Sequence, residues 1–404
     1  MFIKNIIDTV IKSVRFKRNN VFYLRWLKIS GSIIALLIAG ALSAEVRTGG
    51  TGRTISFGEI DAFGSIVVNG VHHDETAANI IINGVPQQTK AQLKLGMIAE
   101  IDGDVNYGQG TGVAHVVMVN RRLFGQIESI NGNAAELRLL NQRVILSAAT
   151  RTDGFSQPAD LSEGDWVAIH GLDDPARQTI SATLIERMQP ATKPMSEIRG
   201  NVSKFKNGSF RIGSLTVLFN AATSGNANQL QDGKFVAVSG KYSSSSDATL
   251  MASNIVVTRE VEVQEQQEAK LQGFVSNYRG LASFTVSGVA IDASHAIFDN
   301  GTVADLKSGA RVTVGGNVQN GVLIANEIEF PVETNPRQAT EAEIEGIITT
   351  LNSATDFVVK GRRVDASSAV LVGQLRPFVV GLKVHVVGVL NTDGTVTASK
   401  IEIE

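Results

Sequence analysis

Beyond residue 45, apolar residues return at every second position in short runs such as Val236-Ala-Val238, Phe284-Thr-Val286 and Val312-Thr-Val314. That period sets one face of a strand on a core and the other in water. No stretch there carries a sustained 3.6-residue apolar period, so the pattern predicts strands throughout. Turn signals at roughly 8–12-residue spacing divide them.

The runs are organised by a repeat. A Leu or Phe, a Gly three residues on, alternating apolar residues and a second Gly recur five times. They are Leu93/Gly96/Gly103, Leu161/Gly164/Gly171, Leu230/Gly233/Gly240, Leu306/Gly309/Gly316 and Phe378/Gly381/Gly388, with the two glycines seven residues apart in each copy. An opening glycine precedes each (Gly58, Gly125, Gly200, Gly273, Gly346), and a tail of Ala-x-x-Ile or Val follows, from Ala114 to Val117 in the first copy and Ala398 to Ile401 in the last. Three landmarks in one order imply an array of one small β module. The first glycine of each pair predicts a positive-φ turn, and the second predicts the opening of the next hairpin.

About five or six strands in about 60 residues must close or nearly close to bury a face, so small OB-like or SH3-like barrels are expected. The fold class is therefore all-β: a tandem array of five small barrel modules at residues 55–120, 123–188, 197–258, 271–330 and 343–404, after an N-terminal signal or anchor helix. A continuous solenoid fits less well, because polar spacers separate the copies. The stretches Met188–Glu197, Arg259–Lys270 and Pro331–Glu343 are rich in Pro, Glu and Gln and predict solvated connectors. Val261 and Val263 allow the second to prolong a strand instead. Copies one and two, joined around Asn120-Arg-Arg122, should abut. The expected whole is a rod or bent chain.

Residues 1–44 read as a basic leader. The apolar run Ile29–Leu42 is 14 residues long, short for a bilayer span of about 20 residues and suited to a signal sequence. Ala41 and Ser43 suit cleavage after Ser43, and an uncleaved signal anchor is the alternative. The leader takes seven basic residues and one acid from totals of 37 and 39, leaving a net charge of −8 on residues 45–404. An acidic chain argues against binding a phosphate backbone. The chain has no cysteine, so each module depends on its own core and its neighbours. The expected location is the periplasm or cell surface of a bacterium, with membrane contact only through residues 1–44.

Candidate chemistry is sparse. His72-His73-Asp74-Glu75 is the densest metal-capable cluster, but neighbours on a strand face opposite ways, so a polar strand end is the better reading. His115, His170, His295 and His385 fall at different positions of different copies. Asp102, Asp104, Asp173 and Asp174 lack the spacing of an oxygen-ligand loop and fit turns. No metal, cofactor or catalytic residue is therefore expected. Trp166, Tyr242 and Tyr278 are the weak candidates for ligand contact. Trp166 fills a slot held by Ile98, Phe235, Arg311 and Lys383 in the other copies, a mixture that implies half-exposure.

The segment Gly49-Gly-Thr-Gly52 through Asp74, with the five Leu-x-x-Gly repeats, resembles the bacterial domain-of-unknown-function family numbered 5666. The resemblance covers roughly residues 50–404. It implies exported envelope proteins of tandem small barrels, many of them lipoproteins with a Cys ahead of a Gly-rich run. Here no Cys precedes Gly49, so a lipid anchor is excluded. No site residues carry over. The expectation is a non-enzymatic, multi-module binding or scaffolding protein whose partners are other envelope proteins or surface polymers. A carbohydrate- or nucleic-acid-binding OB-like protein is the alternative, and a hydrolytic enzyme comes last.

Overall fold

A computed structural model describes residues 53–403, apart from 63–64, 88–91, 108, 133–134, 190–193, 245–246, 333–340, 360, 374–376 and 392–394. The expected leader lies outside the described residues, as do parts of two connectors. The described residues contain strands and short 3-10 turns and no α-helix. None of their helices is long and apolar enough to cross a membrane.

One circuit of pairings recurs. In the first unit the opening strand Thr54–Ala62 pairs antiparallel with a second, Ile66–Val68, which hairpins into a third, Val71–Asp74. The third pairs parallel with the fifth, Thr111–Val119. The fifth pairs with the Gly-bracketed fourth, Ile98–Asn106, which returns to the opening strand. The same circuit joins the strands opening at Leu123, Ser196, Glu268 and Glu341 to their followers. Each ladder closes on itself, so alternate side chains from every strand point into one small core.

The repeated glycines divide into two jobs. Gly96, Gly164, Gly233, Gly309 and Gly381 have φ between +81° and +91°, the turn expected of them. The second glycines do not open hairpins. Gly103, Gly171, Gly240, Gly316 and Gly388 each sit inside the fourth strand, where its register with the fifth shifts by one residue. The fifth strand bulges there, and its backbone comes so close that no Cβ fits: one built on Gly240 would lie 2.9 Å from the Cα of Ala252 and closer still to the Met251 carbonyl oxygen. The bulge also explains the tail. Ala252 and Ile255 are three apart, yet both are buried, because the extra residue restores the inward face. The other four tails behave alike.

The units are not beads that touch only their sequence neighbours. Thr54–Phe57 of the first unit pairs in parallel with Glu268–Leu271 of the fourth, so these two share a 13-stranded sheet. Units two and three share a 12-stranded sheet through Glu197 and Ile198 against Phe124 and Leu123. The fifth unit keeps its own sheet, but its core is continuous with that of the first. The first unit thus contacts the second, fourth and fifth, so contacts are not confined to neighbours in sequence.

The connector 259–270 is also not a free linker. Val261 is buried in the core of unit four and Val263 packs against it. The Glu265 carboxylate accepts the backbone N–H groups of Asn320 and Gly321 at 2.7 and 3.2 Å, which caps a hairpin tip. Val261 and Val263 outweigh the Glu and Gln around them because burying a Val side chain gains about 1.5–3 kcal/mol.

Candidate functional site

Charged side chains concentrate where units meet. The turn of unit one that carries Gly96 presses on unit two: the Thr183 hydroxyl donates to the Gly96 carbonyl at 2.6 Å, and Lys94 Nζ donates to Asp153 at 2.6 Å and to Glu186. Glu186 also meets buried His170 at 3.2 Å. Burial raises the Glu186 pKa, but His170 and Lys94 outweigh it and bring the carboxyl down to about 2. Glu59 of unit one stands between Arg311 of unit four, at 3.3 Å, and Arg151 of unit two, at 3.9 Å. Its desolvation exceeds the pull of both arginines and raises its pKa.

A third junction joins units two, three and four. Arg122, 7% exposed at its side chain, pairs with Asp173, and its guanidinium lies 5.0 Å from the centre of the Phe235 ring. Glu260, on the connector, faces this pair, and burial pushes its carboxyl up to about 7. Two grooves open from here, sharing Asn201, Gly233, Glu260, Ser287 and Gly288. Their volumes, about 490 and 720 Å³, fall within the roughly 300–1,000 Å³ usual for ligand sites. The smaller runs along the opening and second strands of unit four and the turn after them, lined there by Phe274, Ser276, Asn277, Thr285 and Ser287, and by Asn201 of unit three.

Of the residues singled out from sequence, Asp173 lines the smaller groove, whereas Trp166, Tyr242 and Tyr278 line neither groove. Trp166 is half-buried against Phe124, with ring centres 5.1 Å apart, and the Arg121 guanidinium lies over the Phe124 ring, 4.2 Å from its centre. Tyr242 packs on the shared core of units two and three, and burial with the nearby Glu128 carboxylate raises its pKa. Tyr278 lies 6.0 Å from Phe284. His72 is exposed and His73 fully buried, on opposite faces of their strand as the alternation requires. Neither ring nitrogen of His73 has a hydrogen-bond partner, and burial, aided by His72, lowers its pKa to about 4. Asp174 accepts the N–H groups of Ala176 and Arg177 at 3.1 Å each, which is turn chemistry. Its neighbour Asp173 instead holds Arg122. Asp102 pairs with Arg53, and Asp104 with His115. No group of three or more metal-capable side chains converges among the described residues.

Sequence reasoning missed the groove. Asn201, Asn277 and Ser287 carried no reading of their own, and Arg122 and Glu260 lay in stretches read as connectors. The available signal was adjacency at one position: Asn201 directly follows the opening glycine Gly200.

Closed β circuits repeated along one chain, joined through charged junctions, define a class of tandem-repeat all-β proteins. The chain belongs to the family described as Domain of unknown function (DUF5666), whose model matches residues 124–186, 199–256, 272–329 and 345–402, together more than half of the chain. The first unit falls outside the matched residues, although it follows the same circuit. No curated protein matches the chain. Among solved structures, one titled "drosophila Unr CSD456" is similar at 16% identity, covering 53% of this chain and 98% of that one, with a TM-score of 0.15. An overlap so loose has no bearing on function.

Proposed function

We propose that this is an exported, non-enzymatic envelope protein of five small OB-like barrels, which acts as a binding or scaffolding protein. The observation that carries this is the joining of units: the first unit shares a ladder with the fourth and ionic contacts with the second and fourth. Such joints fix neighbouring binding faces in one geometry, so several weak contacts can add without paying separately for each encounter. The strand order within each circuit, first-second-third-fifth-fourth-first with a parallel third–fifth pair, supports the OB-like choice over the SH3-like one. Glu59 is paired with Arg311, and Asp153 and Glu186 with Lys94, each across units, which supports an architectural role for these carboxylates.

Two measurements test this reading. A reporter active only outside the cytoplasm, fused after residue 50, should be active in bacteria. The purified chain without its first 50 residues should co-sediment with isolated bacterial envelopes in a saturable way. An inactive fusion, or envelopes that leave the chain in the supernatant, would overturn it.

A further inference from the structure

The smaller groove between units two, three and four has the chemistry of a site for an uncharged polyhydroxyl chain, and we propose that it binds an oligosaccharide segment of an envelope polymer. This deepens the binding reading above and rests on it.

The first reason is hydrogen-bonding capacity left unused. The side-chain amide of Asn201 is exposed and makes no hydrogen bond to the described protein. Asn277 spends one N–H on Thr285 Oγ1, at 3.2 Å, leaving its carbonyl oxygen free. Asn277 is held with φ +51°, so its amide is presented from a bulge of the opening strand rather than from a mobile tip. An amide offers both donors and acceptors, as a sugar hydroxyl does, so the two pair without a charge.

The second reason is an apolar surface of the right kind. The half-buried Phe274 ring lines the same wall, and an aromatic ring beside polar groups suits a ligand with one apolar and one polar side.

The third is charge. None of the lining residues of this groove is Lys or Arg, and the Asp173 carboxylate on its wall is already paired with Arg122. A phosphate or carboxylate of a ligand would find no cation on these walls, whereas neutral hydroxyls can pair with the amides and hydroxyls there. An apolar helix of a partner protein would strand the groove's amides and hydroxyls without partners, at about 1–3 kcal/mol each.

The experiment uses envelope polysaccharide freed of protein and nucleic acid, partly hydrolysed to oligosaccharides, with saturation-transfer NMR and calorimetry on the purified chain. Asn201→Trp fills the groove from an exposed position and should leave the fold intact, checked by circular dichroism. Saturable binding by the wild type, at least tenfold weaker in Asn201→Trp, is the expected result. No binding by the wild type, equal binding by the variant, or preference for a single-stranded oligonucleotide over the sugars would overturn the proposal. If Asn201→Trp co-sediments with whole envelopes as the wild type does, while the sugars fail to bind, the groove proposal falls and the broader binding reading stands.

Discussion

Adding one methyl group at Gly240 should damage unit three far more than adding one at Gly233, only seven residues away. Gly233 has φ +83° and open space where a Cβ would go. Gly233→Ala therefore meets only the left-handed backbone penalty, about 1–2 kcal/mol. At Gly240 the new Cβ would lie 2.8 Å from Leu250 Cδ2 and 2.9 Å from Ala252 Cα, and nearer still to the Met251 carbonyl. The Leu side chain can turn away, but the backbone cannot. Separating the strands costs about 1–3 kcal/mol as overpacking, and each ladder hydrogen bond lost at the bulge adds about 1 kcal/mol. Gly240→Ala should thus cost about 3–5 kcal/mol, a large part of the roughly 5–15 kcal/mol that stabilises a domain. Hydrogen exchange by mass spectrometry, read on peptides spanning residues 235–258, reports this unit separately from the others. Protection there should fall by at least about fivefold more in Gly240→Ala than in Gly233→Ala. Equal loss in the two variants would refute the assignment of the second glycine to a close-packed bulge.

Further outcomes follow from the buried charges. Arg122→Ala leaves Asp173 without its partner and strips the cation from Phe235, and should lower stability by about 3–5 kcal/mol; urea unfolding that matches the wild type would refute that pairing. His73 is held down to about 4 by burial, so the unfolded chain takes up a proton below about pH 6.5 that the folded chain refuses. Stability therefore falls as the pH drops from about 6.5 to about 4, by at most about 3 kcal/mol, and His73→Leu should flatten this part of a melting-temperature profile. Glu260, pushed up to about 7, acts in the opposite sense: its contribution is present at low pH and lost as pH rises towards 7, and Glu260→Gln should remove that loss. A neutral-pH limb unchanged by Glu260→Gln would count against the buried placement of this carboxyl.

Much of the unit was legible in the sequence, because alternation and turn glycines are local signals. Val312-Thr-Val314 announces a strand, and Gly309 a turn. The role of Gly316 was misread because a glycine after a strand ordinarily opens a turn, whereas a bulge shows itself only in the partner's register. One clue was present: Ala325 and Ile328 stand three apart, which a regular strand would place on opposite faces. The joining of unit one to unit four left no local trace. Thr54–Phe57 and Glu268–Leu271 each alternate like any other strand, and more than 200 residues separate them in the chain. The groove was hidden for a similar reason, since its walls come from three units and each contributes polar residues that serve equally well as turns.

The direct test of the joined arrangement is a disulfide across the ladder of units one and four. Ser56 and Lys270 are register partners, and neighbouring strands stand about 4.8 Å apart, inside the roughly 4.4–6.8 Å Cα span of disulfides. The native chain has no cysteine, so a doubly substituted chain, Ser56→Cys with Lys270→Cys, can form only this bond within one molecule. Mild oxidation of the dilute monomer should give a crosslinked peptide pair by mass spectrometry and a shifted band on a non-reducing gel. Two free thiols in the oxidised monomer would contradict the shared sheet and return the chain to an array of separate units.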